Sequence, residues 1–173
     1  MNVTKVWQDE GEEGVKQTLE LMRRSVIESD ENRIIKQKAR EIVDGIPPND
    51  EMRQVQAIFD WVRANLKYVR DIYGVEELTR PDKIVHSVMN GLNQHSSDCD
   101  DFAILLSALL RAIGFRTRFE ALAVNQDEGY DHARAAVFVK SLDRWLPLEG
   151  TKPNVAPGFG LKSRRPIWAL ETL

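Results

Sequence analysis

The sequence predicts an α+β domain: N-terminal helices, a central helix carrying the sole cysteine, and a small antiparallel sheet packed against that helix. Three observations predict it. Residues 12–66 repeat apolar side chains at helical spacing, residues 99–113 form a nearly unbroken apolar helix, and residues 115–148 hold three β-rich runs. Helices grouped before strands, rather than alternating with them, argue for α+β over a parallel α/β sheet.

The first helix spans Glu12 to Glu28, with Val15, Leu19, Met22 and Val26 on one stripe, and the second spans Glu31 to Val43, with Ile34, Ile35, Ile42 and Val43. Gly45 and Pro47-Pro48 break the pattern. Asn49 or Asp50 then caps a third helix through Leu66, with Val55, Ile58, Phe59, Val62 and Leu66 facing inward. Tyr68 to Thr79 reads as a polar connection, and Pro81 opens a short helix to Met89.

The cysteine helix follows. Ser97 is placed to act as its N-cap, with Asp100 three residues on as the acid of a capping box, and Gly114 stops it. Strands are expected near Phe115–Val124, His132–Val139 and Arg144–Leu148, the last two forming a hairpin about Ser141-Leu142-Asp143. The stretch from Lys152 to Trp168 holds three prolines and two glycines, which disfavours regular structure. The chain thus reads as one domain: a helical extension at 1–48, a core at 49–155 and an irregular tail at 156–173.

Composition narrows the function. A chain of 173 residues buries roughly 70% of its unfolded surface. Hydrophobic content of 42% with 29% charged residues is that of an ordinary globular protein. No apolar run approaches the ~20 residues that span a bilayer, and residues 1–10 lack the apolar centre of a secretory signal. One cysteine excludes an internal disulfide and suits a reducing compartment, so a cytoplasmic location is expected. A net charge of −3 gives nucleic acid no support as a partner. No cofactor motif is present.

Cys99 sits in Asp98-Cys99-Asp100-Asp101, in the first turn of the helix and on one stripe with Phe102, Ala103, Leu106, Leu109, Leu110 and Ile113. The helix dipole there favours a thiolate, while three flanking aspartates oppose it. A buried cysteine on an apolar stripe is commonly plain packing. Catalysis therefore requires a cationic partner supplied by the fold.

Of three histidines, His95 lies in the loop before Cys99 and His86 in the Pro81 helix, where it is expected to pack. His132 differs by opening a strand. If Ser141-Leu142 forms the turn, Arg134 pairs with Glu149, and His132 stands one diagonal step from Glu149 on the same face. Asp131 adjoins the histidine and Asp143 lies in the turn, so Glu149 is the orienting acid. Cys99, His132 and Glu149 then supply thiol, imidazole and carboxylate in the order nucleophilic catalysis uses them.

These pieces resemble the transglutaminase-like superfamily, a branch of papain-like thiol enzymes. The resemblance rests on Asp98-Cys99-Asp100-Asp101-Phe102, Leu105 to Leu110, Ile113-Gly114, Asp131-His132 and Trp145-Leu146-Pro147-Leu148-Glu149-Gly150-Thr151. Upstream, Ile58 to Arg63, Leu66 to Val69 and Arg80-Pro81-Asp82 resemble small bacterial and phage-type members. The likeness covers roughly residues 50–155 and implies a papain-like core. Three positions depart from the usual pattern: Glu149 for aspartate, Ser97 for glycine, and Arg134 for an aromatic residue. An oxyanion donor is also needed, besides the backbone N–H of Cys99; Gln94 is the candidate, with Asn93 and Tyr68 as alternatives.

The expected activity is cysteine-dependent acyl transfer or hydrolysis on a peptide or protein amide, as a protease, amidase or transglutaminase-like acyltransferase. The alternative is a catalytically weak or inactive structural protein of the same fold, virion-associated if phage-encoded, with the C-terminal tail docking on an assembly partner. A metal centre is disfavoured, because paired cysteine spacings and the glycine of a calcium loop are missing.

Overall fold

The computed structural model describes residues 3–5, 11–69, 76–91, 95–125 and 129–173. In chain order the elements are β1 (Val3–Lys5), α1 (Glu12–Glu28), α2 (Arg33–Ile42), α3 (Glu51–Asn65), β2 (Leu66–Tyr68), β3 (Glu76–Leu78), α4 (Pro81–Met89), β4 (His95–Ser97), α5 (Cys99–Ala112), β5 (Arg116–Leu122), β6 (His132–Val139), β7 (Arg144–Leu148) and β8 (Trp168–Glu171). The α+β class follows directly.

Helix α5 is the axis of the molecule. Helices α1 to α4 surround it, and β5 and β6 cover its remaining side. Every residue from Asp100 to Leu110 is buried, so the single stripe read from the sequence is too narrow. A helix apolar on all sides lies inside a domain rather than on its surface. Ile104, Leu105, Leu106, Leu109 and Leu110 are fully buried, each stabilising the fold by about 1.5–3 kcal/mol. The helix ends in a Schellman turn: Gly114 N–H donates to Arg111 O at 2.9 Å and Phe115 N–H to Leu110 O at 3.1 Å, with Gly114 at φ +95°.

The main sheet is antiparallel in the order β7-β6-β5-β8. Residues 133, 135, 137 and 139 of β6 point into the core, as a period of two requires. The β6–β7 register pairs Ala135 with Leu148 and Val139 with Arg144, which continues to Arg134 opposite Glu149. The register read from the sequence therefore holds, although the turn takes four residues. Lys140–Leu142 form a 3₁₀ turn, and Asp143 adopts the left-handed conformation at φ +48°.

The stretch read as a polar connection holds β3, which pairs antiparallel with β1, and two further features differ from the sequence reading. The end of the tail is not irregular: β8 pairs antiparallel with β5, setting Phe119 opposite Leu170. Behind it, Thr172 Oγ1 lies 2.7 Å from Thr117 Oγ1, which in turn meets Ser107 Oγ of α5. This buried hydroxyl chain ties the C-terminus to the central helix. Secondly, Leu66–Tyr68 and His95–Ser97 form a short parallel ladder, placing Ser97 opposite Tyr68. The stretch before Cys99 is thus a strand, at its end, rather than a loop.

Candidate active site

Cys99 is the first residue of α5. Its N-cap is Asp98, whose Oδ1 accepts from Asp101 N–H at 2.9 Å; Ser97, expected to cap, ends β4 instead. The cap lies one residue on because Asp98 is itself extended, at φ −88° and ψ −170°, so the first helical residue is Cys99. Asp101 is used elsewhere, its carboxylate accepting from Thr79 N–H at 2.9 Å and from Thr79 Oγ1. These bonds fix the first turn, and with it the sulfur.

The thiol donates to Asp100 Oδ1 at 3.5 Å, and the backbone N–H of Ala133 is near enough to favour the charged sulfur. Burial pushes the Cys99 thiol well above the ordinary range. The charges of Asp100 and Asp98 push the same way, against a smaller lowering by Ala133 N–H. The resting group is a neutral thiol. Helix-dipole stabilisation, worth about 0.3–1 kcal/mol at a helix end, is outweighed here.

Ala133 is the neighbour of His132, so the sulfur lies against the head of β6. His132 Nε2 is 3.0 Å from both Oε1 and Oε2 of Glu149. Glu149 is fully buried at the end of β7 and also accepts from Thr151 Oγ1 at 2.7 Å. Burial by itself raises the Glu149 carboxyl. The hydrogen bond and charge of His132, the Thr151 hydroxyl and the Arg134 charge together outweigh it, leaving the carboxyl below its usual range. An ionised carboxylate only accepts, so the proton on the facing nitrogen belongs to His132 Nε2. With Nε2 committed to the acid, Nδ1 is the ring nitrogen left available.

The remaining candidates are placed as follows. His86, expected to pack, is exposed on α4, where Asn90 Nδ2 lies 3.0 Å from its Nδ1; its helix turns that position to solvent. His95 opens β4. Asp131 binds Val124 N–H at 2.7 Å and Asn125 N–H, closing the approach to β6. Tyr68 ends β2 opposite Ser97. Gln94 and Asn93 lie outside the described residues. Sequence reading missed Thr151, although a hydroxyl two residues past the acid is a readable local partner. It also missed the Ala133 N–H, which no side-chain pattern reports. Among the described residues, no group of three or more His, Cys, Asp or Glu side chains is arranged to hold a metal ion.

Residues 36–150 match the model of the transglutaminase-like superfamily. The chain belongs to that superfamily. The superfamily match begins inside α2, earlier than the residue-50 limit read from motifs. No curated protein matches. Among solved structures, a candidate protease from Parabacteroides distasonis superposes with a TM-score of 0.53 at 17% identity, covering 82% of this chain and 30% of that one. A candidate cysteine protease from Cytophaga hutchinsonii gives 0.49 at 19% identity, covering 79% of this chain and 47% of that one. This transglutaminase-like chain spans less than half the length of either neighbour, and the likeness is one of fold.

Proposed function

We propose that this transglutaminase-like protein cleaves a peptide or protein amide through a Cys99 thioester, with His132 as the base and Glu149 as its orienting acid. The observation that carries the reading is the pairing of His132 Nε2 with the buried Glu149 carboxylate at 3.0 Å, with the Cys99 thiol beside Ala133, the next residue of the same strand. It commits Nε2 to the acid and leaves Nδ1 as the base.

The chemistry follows in order. As the sulfur attacks the carbonyl carbon, His132 Nδ1 takes the thiol proton, and Glu149 stabilises the imidazolium. The carbonyl oxygen becomes an oxyanion, for which the Cys99 backbone N–H at the start of α5 is a donor. The imidazolium passes its proton to the departing amine as the C–N bond breaks. Water, deprotonated by the same nitrogen, then attacks the thioester and releases the acid and the thiol. An amine in place of water gives transamidation. Nothing in this sequence of steps needs a cofactor.

The neutral resting thiol favours one competing reading, a non-catalytic assembly protein. An activated peptide amide separates the two. The catalytic reading expects an acyl-enzyme mass on Cys99 in acid-quenched samples, absent in Cys99→Ala, with product release. No adduct and no release, in a folded chain offered a panel of peptide amides, supports the assembly role.

Among the described residues no helix is long and apolar enough to cross a membrane.

A further inference from the structure

Arg134 lies on β6 two residues past His132, and its surroundings give it a task. Its side chain is buried, with Nε donating to Glu120 Oε2 at 2.8 Å and Nη1 to Leu161 O at 3.0 Å. Glu120 faces it across the β5–β6 ladder and also binds Arg118. Leu161 belongs to the segment after β7. That segment crosses the sheet by way of Gly158 N–H on Pro147 O at 2.9 Å and Arg164 N–H on Ala123 O at 2.8 Å.

At its centre is Gly160. A Cβ there would stand 2.6 Å from Arg134 Nη1 and 3.3 Å from Glu149 Cβ. The guanidinium, the first methylene of Glu149 and the strap therefore converge on Gly160, where an added Cβ would force Nη1 aside. We infer that Arg134, locked between Glu120 and the C-terminal strap, is the positioning residue for Glu149. It acts through the acid and touches no reacting atom, and the inference rests on the catalytic reading above.

The arrangement suits a glutamate. Its carboxylate has one methylene more freedom than an aspartate's, and a fixed positive charge behind it offsets the loss of hydration. The charged groups around Glu149 are His132 and Arg134 on β6, Lys152 on the strap, and, through Arg134, Glu120 and Arg118 on β5. With Glu149 counted, Arg118, Glu120 and Arg134 sum to zero. Glu120 keeps Arg118 as a partner when Arg134 is removed, so Arg134→Met leaves no buried carboxylate unpaired.

The test is a ¹³C NMR titration of the Glu149 carboxyl, assigned by loss of its signal in Glu149→Gln, in the full chain. Arg134→Met should move the midpoint to higher pH, and Arg134→Lys, which keeps the charge but not the fork, should move it back. Gly160→Ala, which displaces Nη1 while keeping every charge, should move it in the same direction as Arg134→Met. A midpoint unchanged in both Arg134→Met and Gly160→Ala overturns the inference. If Arg134→Met does not fold, Gly160→Ala decides alone. The titration needs no turnover, so it fails independently of the catalytic reading, which stands or falls on the Cys99 acyl adduct.

Discussion

At the scale of single residues, the environment of Cys99 decides how it reacts. Burial and the Asp100 carboxylate keep the thiol protonated, so its reactivity at neutral pH depends on proton removal during attack. Asp100→Asn, nearly the same size at a buried position, should therefore speed alkylation of Cys99 by iodoacetamide at pH 7, read by intact mass over time. An unchanged rate would mean that burial and the Asp98 charge hold the proton without Asp100. Glu149→Gln acts in the opposite sense. The amide can donate to Nε2, which shifts the ring proton to Nδ1 and removes the base. Turnover of an amide substrate should fall by about 10²-fold or more, with little change in the far-ultraviolet circular dichroism.

At the scale of elements, α5 carries both the fold and the nucleophile. Leu109 is fully buried, and Leu109→Ala should cost about 2–5 kcal/mol in urea unfolding. Loss of the Asp98 cap in Asp98→Ala should cost about 0.5–2 kcal/mol, which places the two effects in a clear order. The same elements show what the sequence makes legible. Helix spacing, the Gly114 stop and the hairpin register were readable because each is a local pattern with a local cause. The His132–Glu149 pairing followed from register alone. The Ser97–Asp98 shift in the cap was not readable, because either side chain can cap and only the extended backbone of Asp98 in the fold decides between them. Strand β8 was hidden for a similar reason. Trp168-Ala169-Leu170-Glu171 is short, follows a proline-rich stretch, and becomes a strand only because β5 offers an edge. Arg134 was visible as an odd residue, but its bond to the strap required the tail to be placed.

At the scale of the whole molecule, the site links stability to pH. The Glu149 carboxyl lies below its ordinary value of 4.5 in the folded chain. Its contribution is therefore present above that value and is lost as pH falls through the folded one. Urea midpoints should hold above pH 4.5 and drop as pH falls below it, and Glu149→Gln should start lower and flatten that decline. An equal slope in both chains would assign the acid sensitivity to other carboxylates. Cys99 works in the other direction: its folded value is raised, so its contribution is present below pH 9.0 and lost as pH rises through the folded value.

Catalysis at this site requires the thiol and the imidazole to act as one unit. The rate of Cys99 alkylation by iodoacetamide at pH 7, compared between the wild-type chain and a folded His132→Gln variant, measures that coupling without a substrate. A fall of about tenfold or more on losing the ring, with Cys99 the only site labelled, is the predicted result. Equal rates in the two chains across pH 6 to 9 would contradict it, leaving Cys99 a cysteine that merely lies near a histidine.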